Sequence, residues 1–137
     1  SMPEALAALV SYDPEASAES NARSMASVAE SVATGEITQA VRDTHTDAGQ
    51  VTTGDWIGIV RGDGIVAIAG TLVTAASQLL DHLIDDQREL LTVITGEDAT
   101  AAQTDQIVAW VSQNRPDVAV EIHGGGQPLY PYLFGVE

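Results

Sequence analysis

The feature that most constrains this chain is its end, His123-Gly-Gly-Gly-Gln-Pro-Leu-Tyr-Pro-Tyr-Leu-Phe-Gly-Val-Glu137. Three successive glycines let the backbone take positive φ or approach another segment closely. Pro128 and Pro131 flank Leu129-Tyr130 and stiffen the turn. Two of the three tyrosines and the single phenylalanine fall here, and an apolar run carries the chain to its last residue. Chain ends are usually polar and loosely held. This one reads as a rigid corner followed by a strand that ends inside a sheet.

The elements that such a strand would join can be read upstream. Leu90-Leu-Thr-Val-Ile-Thr95 is almost continuous in apolar and β-branched residues, the mark of an inner strand covered on both faces. Thr100-Ala-Ala-Gln103 has the form of a capping box and opens a helix to Asn114, with Ile107, Val108, Trp110 and Val111 on its inner face. Pro116 stops that helix, and Val118–Ile122 is the next strand. Earlier, Thr71 caps a helix running to about Ile84 whose buried face is Leu72, Ala75, Ala76, Leu79, Leu80 and Leu83. Asp85-Asp86 reads as its solvated end. Before it, Asp55–Val60 and Ile65–Ala69 form a hairpin around the turn Arg61-Gly-Asp-Gly64.

In the first half, Ala22, Met25, Val28, Ala29 and Val32 recur at helical spacing, which predicts a helix over 17–34 with Gly35 as its stop. Ile37–Thr44 alternates as a strand, and 44–54 reads as a polar loop holding His45, Asp47 and Gly49. The expected class is therefore α/β: a mixed β-sheet with about three helices packed on it, its second half built of strand-helix-strand crossovers. Ser1-Met2 reads as an expression scar and residues 1–16 as that scar plus a truncated lead-in. Residues 17–137 are then a single α/β domain, the last part of a larger region.

Composition removes several functions. The chain carries 20 Asp and Glu against five basic residues, all of them arginine, for a net charge of -15. Nucleic acid and anionic lipid surfaces would be repelled. With 45% apolar residues the chain is not a disordered one, and without cysteine it has no thiolate chemistry. No apolar run approaches the ~20 residues of a membrane span, so no membrane insertion is expected. With no basic leader either, the expected location is cytoplasmic.

Five strings, in order, resemble a known family: Asn21-Ala-Arg-Ser-Met25, Thr38-Gln-Ala-Val-Arg-Asp-Thr44, Gly54-Asp-Trp-Ile-Gly-Ile59, Thr92-Val-Ile-Thr-Gly-Glu-Asp98 and Gly125-Gly-Gln-Pro-Leu-Tyr-Pro-Tyr132. They are similar to the C-terminal region of fatty acid kinase A subunits, in the dihydroxyacetone-kinase-like superfamily, and the resemblance covers nearly the whole chain. It implies a three-part protein. An N-terminal domain binds ATP and magnesium, and a middle domain takes part in phosphoryl transfer. A DegV-like C-terminal region engages the fatty-acid-binding (DegV-type) partner subunit for acyl-phosphate formation. The implied cofactors belong to the full-length protein and none to this fragment, which is a piece of a phosphotransferase not expected to be active alone. This copy departs from the family in lacking lysine and in having Gly124 where a polar residue is expected.

Seven residues are candidates for a binding site, each with a plainer alternative. Gln127 and Tyr130 offer oriented donors and acceptors in a ligand-facing loop, or serve a structural corner. His123 resembles the substrate-holding histidine of true dihydroxyacetone kinases, or is a strand-end histidine. That option defines the alternative function, a substrate-handling domain of a small-carbonyl kinase. Arg42 and Asp43 pair to fix a strand end or face a ligand. Glu97 and Asp98 lie beyond a strand's C-terminal end, where α/β sheets place ligands, or simply favour the following helix N-terminus. No catalytic residue and no metal ligand is assigned: no Ser-His-Asp spacing, paired-histidine motif or phosphate loop is present.

Overall fold

The computed structural model describes residues 32–137. Their strands are β1 (Ala33–Gln39), β2 (Thr44–Thr46), β3 (Gly49–Val51), β4 (Trp56–Val60), β5 (Gly64–Ala69), β6 (Leu90–Thr95), β7 (Ala119–Gly124) and β8 (Tyr132–Val136). The helices are α1 (Leu72–Leu83) and α2 (Ala101–Asn114). Six strands form one mixed sheet in the order β5-β4-β1-β8-β6-β7, and β2-β3 is a separate small hairpin. β6 and β7 are parallel, and every other neighbouring pair is antiparallel.

The last strand joins the sheet's two halves. β8 pairs with β1 on one side, Phe134 opposite Gly35, and with β6 on the other, Phe134 opposite Val93. Without it, the β1-β4-β5 meander and the β6-β7 pair would share no ladder. Alternation along β8 sends Tyr132, Phe134 and Val136 toward the helices, and all three are fully buried. The Tyr132 and Phe134 rings stack with centroids 5.9 Å apart. The Tyr132 hydroxyl lies 2.7 Å from Thr104 Oγ1, which ties α2 to the sheet. Burial raises the Tyr132 pKa, against the smaller opposing effect of the Thr104 hydrogen bond.

Both helices begin as the sequence predicts. The Thr71 hydroxyl accepts from the Thr74 N–H, and Thr100 with Gln103 closes the full capping box. The buried face of α1 is Leu72, Ala75, Ala76, Leu79, Leu80 and Leu83, as its spacing indicates. On α2, Ile107 and Val111 are buried while Val108 and Trp110 are partly covered. The Arg61–Gly64 turn also forms, with Gly62 and Gly64 at φ 91 and 79. Leu91 to Ile94 are buried throughout, as an inner strand requires.

Three expectations are corrected. The strand predicted from Ile37 to Thr44 begins at Ala33 and ends at Gln39. Ala33 and Thr34, expected at the end of a helix, are therefore strand, and Gly35 is no helix stop. The physical reason is Leu79: a Cβ on Gly35 would lie 3.0 Å from its Cδ2, so glycine serves the close approach of α1 to the sheet. The polar loop at 44–54 contains the β2-β3 hairpin, turned at Gly49 with φ 128 and pinned by buried Val51. Finally, two helices rather than about three pack on the sheet among the described residues. The rest of the helix predicted over 17–34, and the reading of 1–16, lie outside those residues.

Of the predicted crossovers, β6-α2-β7 joins neighbouring parallel strands. The other, β5-α1-β6, carries the chain across β4, β1 and β8 to a strand of the same direction. β7 runs at an edge, two residues further than expected, to Gly124.

Candidate functional site

The pairing directions send β1, β5, β6 and β7 to finish at one end of the sheet, where β4 and β8 begin. All seven candidate residues lie at that end. Arg42 and Asp43 follow β1, Glu97 and Asp98 follow β6, His123 is the penultimate residue of β7, and Gln127 and Tyr130 are in the β7–β8 connection. The N-termini of α1 and α2 open at the same end.

The connection from Gly124 to Pro131 is wrapped onto the end of β6. Gly125 and Gly126 N–H groups both donate to the Thr95 carbonyl. The Gly96 N–H donates to Pro131 O at 2.7 Å and the Glu97 N–H to Gln127 O at 3.1 Å. Gln127 Nε2 donates to Tyr130 O at 3.0 Å and Ile94 O at 3.4 Å, closing the loop on itself. Its Oε1 is buried with no hydrogen-bond partner. Gln127 therefore organises the corner, and the Tyr130 backbone carbonyl, not its phenol, is the group that it holds.

Leu129 is what sequence reasoning missed. The Tyr130 N–H donates to Pro128 O at 2.9 Å, a three-residue turn with Leu129 at its centre. Leu129 has φ 71, the one non-glycine residue with positive φ among those described, and is 77% exposed. Its carbonyl accepts from Thr38 Oγ1 at 3.1 Å, which fastens the corner to β1. The two prolines announce a stiff turn here, but no residue preference announces leucine in left-handed backbone.

The remaining candidates are more open. The expected Arg42–Asp43 ion pair does not form; the Asp43 carboxylate instead accepts from the Thr53 N–H at 2.7 Å and hydroxyl at 2.9 Å. These two bonds, the backbone one first, hold its pKa below the ordinary carboxylate value. Arg42 is exposed and lines a shallow groove of about 190 Å³ with Val41, Val51, Ile57 and Ile65. Glu97 and Asp98 are both exposed ahead of the Thr100 cap. His123 Nε2 lies 3.7 Å from Glu121 Oε2 on the exposed face of the edge strand. A larger cavity, about 310 Å³, lies at the opposite end beside Asp85, Arg88, Arg115 and Asp117, where no candidate falls. No group of three or more His, Asp or Glu is placed to hold a metal among the described residues, and none of their helices is long and apolar enough to cross a membrane.

All seven candidates thus stand at one end of a mixed α/β domain. The chain belongs to the C-terminal family of fatty acid kinase A-like subunits, whose profile matches residues 1–137. It is 40% identical over its whole length to an uncharacterised protein of Staphylococcus aureus strain MRSA252. It is 39% identical to uncharacterised proteins of the bovine RF122 and USA300 strains. In each case the chain spans 25% of the relative's length.

Proposed function

We propose that this region is the non-catalytic docking module of a fatty-acid-kinase-like protein. In the whole protein it engages a fatty-acid-binding, DegV-type subunit, so that the acyl carboxylate reaches a phosphoryl group held elsewhere in the chain and acyl-phosphate forms. Family membership supports its place in a fatty-acid-kinase-like protein. The observation that carries the non-catalytic part is the state of the two helix N-termini at the site's end of the sheet. Such termini are the natural phosphate cradles of α/β folds. Here Thr71 caps one and Thr100 with Gln103 caps the other. With Glu97 and Asp98 in front of α2 and a net charge of -15, that end repels a nucleotide triphosphate. ATP and magnesium then belong to other parts of the full-length protein. The small-carbonyl alternative draws no support from His123, which stands on an edge strand beside Glu121.

Calorimetry with magnesium-ATP should show no binding to this chain up to millimolar nucleotide. The whole protein lacking this region should still bind ATP yet fail to phosphorylate an acyl chain presented by its partner subunit. Micromolar nucleotide binding by the chain, or undiminished phosphorylation without it, would overturn the reading.

A further inference from the structure

We infer that Leu129 is the apolar anchor of the docking surface, seated in a socket on the partner subunit whose rim is basic. A single exposed leucine on a protein surface needs no explanation. A leucine held exposed in left-handed backbone does, because that conformation is unfavourable for a side chain with Cβ and persists only where its surroundings enforce it. Here they do. Pro128 and Pro131 stand on either side, Tyr130 N–H closes the turn onto Pro128 O, and Thr38 Oγ1 holds the Leu129 carbonyl from β1. Gln127, two residues earlier, leaves one buried amide oxygen without a donor. Two unfavourable features thus lie within three residues of one another, in a loop otherwise closed by hydrogen bonds. Their joint effect is to present an apolar side chain, 77% exposed, at a fixed position. A pre-organised side chain loses little freedom on binding, which favours its use as an anchor.

The charge around it specifies the partner. Glu97, bonded through its N–H to Gln127 O, flanks the corner on the β6 side, and Asp98 follows it. Past Thr38, on the β1 side, come Val41, 88% exposed, then Arg42 and Asp43, both exposed. The surface is an apolar point with three carboxylates, Asp43, Glu97 and Asp98, against the one guanidinium of Arg42, on a chain of net charge -15. Its complement is an apolar socket bordered by lysine or arginine, which steers association and makes it salt-dependent.

This inference rests on the docking reading, and one experiment separates their failures. The probe is the purified acyl-binding subunit, titrated with the whole kinase carrying Leu129→Asn or Leu129→Met. Asparagine tolerates positive φ. Leu129→Asn should therefore leave the melting temperature equal or higher while weakening partner affinity at least tenfold. Leu129→Met, which keeps an apolar side chain, should stay within about threefold of the parent, and parent affinity should fall as salt rises. If the parent binds and Leu129→Asn binds equally well, the anchor is wrong while docking stands. If Leu129→Asn lowers the melting temperature together with affinity, Leu129 is a structural residue or seats against another part of the same polypeptide, which also overturns the proposal. If the parent itself does not bind the subunit, both readings fall.

Discussion

A Cβ on Gly96 would meet the Tyr130 carbonyl oxygen and lie 2.8 Å from the Gln127 carbonyl oxygen. Both are backbone atoms of the corner and cannot swing aside. Gly96→Ala should therefore destabilise by about 2–3 kcal/mol, within the range for overpacking a tight site. Gly70, with open space around its would-be Cβ, should accept alanine within about 0.5 kcal/mol. Equal chemical-denaturation midpoints for the two variants would contradict the tight seating of the corner on β6. Asp43 makes a second residue-level prediction. Its pKa is depressed in the folded state by the Thr53 bonds, so its contribution is present above the ordinary value of about 3.9. That contribution disappears as pH falls through the lower folded value. Asp43→Asn should be less stable at neutral pH and show a shallower loss of stability below about pH 4. An acid limb identical to the parent's would show that the Thr53 latch contributes nothing to stability.

At the scale of elements, the helix layer approaches the sheet through two glycines. Gly35 on β1 and Gly58 on β4 pass under Leu79, whose Cδ1 would lie 2.9 Å from a Cβ on Gly58. Strand glycines read as punctuation in sequence, and on that ground Gly35 reads as a helix stop. They are instead the floor on which α1 rests. Gly58→Ala should cost about 1–3 kcal/mol by lifting α1. In a Leu79→Ala background the added cost should shrink in part, since the Cδ1 contact is lost while the Leu79 Cβ at 3.0 Å and the Ala67 Cβ at 3.1 Å remain. Additive effects in a double-mutant cycle would show that the two sites are not coupled. The capping elements, by contrast, are legible in full. Thr71, Thr100 and Gln103 act within one turn of their own helices, where sequence spacing is geometry.

At the scale of the molecule, the dependence on β8 is the decisive property. Its residues complete ladders to β1 and β6 and supply Tyr132, Phe134 and Val136 to the core. A chain ending at Pro131 would leave two unpaired inner edges and lose three fully buried side chains, each worth about 1.5–3 kcal/mol for burial alone. It should show no cooperative thermal transition by circular dichroism. A sharp melt for that truncated chain would refute the central role of the last strand.

The sequence by itself determined whatever depends on neighbours a few residues apart. This includes both helix starts, the apolar stripe of α1, the β4-β5 turn, the buried run of β6, and the corner with a strand after it. It also put Glu97 and Asp98 just beyond a strand, while Arg42 and Asp43, expected inside the strand ending at Thr44, follow β1, and His123 lies within β7. Only the tertiary structure decided which strand end meets which. That placed β8 between β1 and β6, brought Arg42, Glu97, His123 and Gln127 to one end of the sheet, and turned Asp43 to Thr53 instead of Arg42. It also put Leu129 in left-handed backbone, a conformation that its own preferences oppose. Here the Thr38 and Tyr130 hydrogen bonds, made across the sheet and around the turn, outweigh the local cost of a Cβ at φ 71.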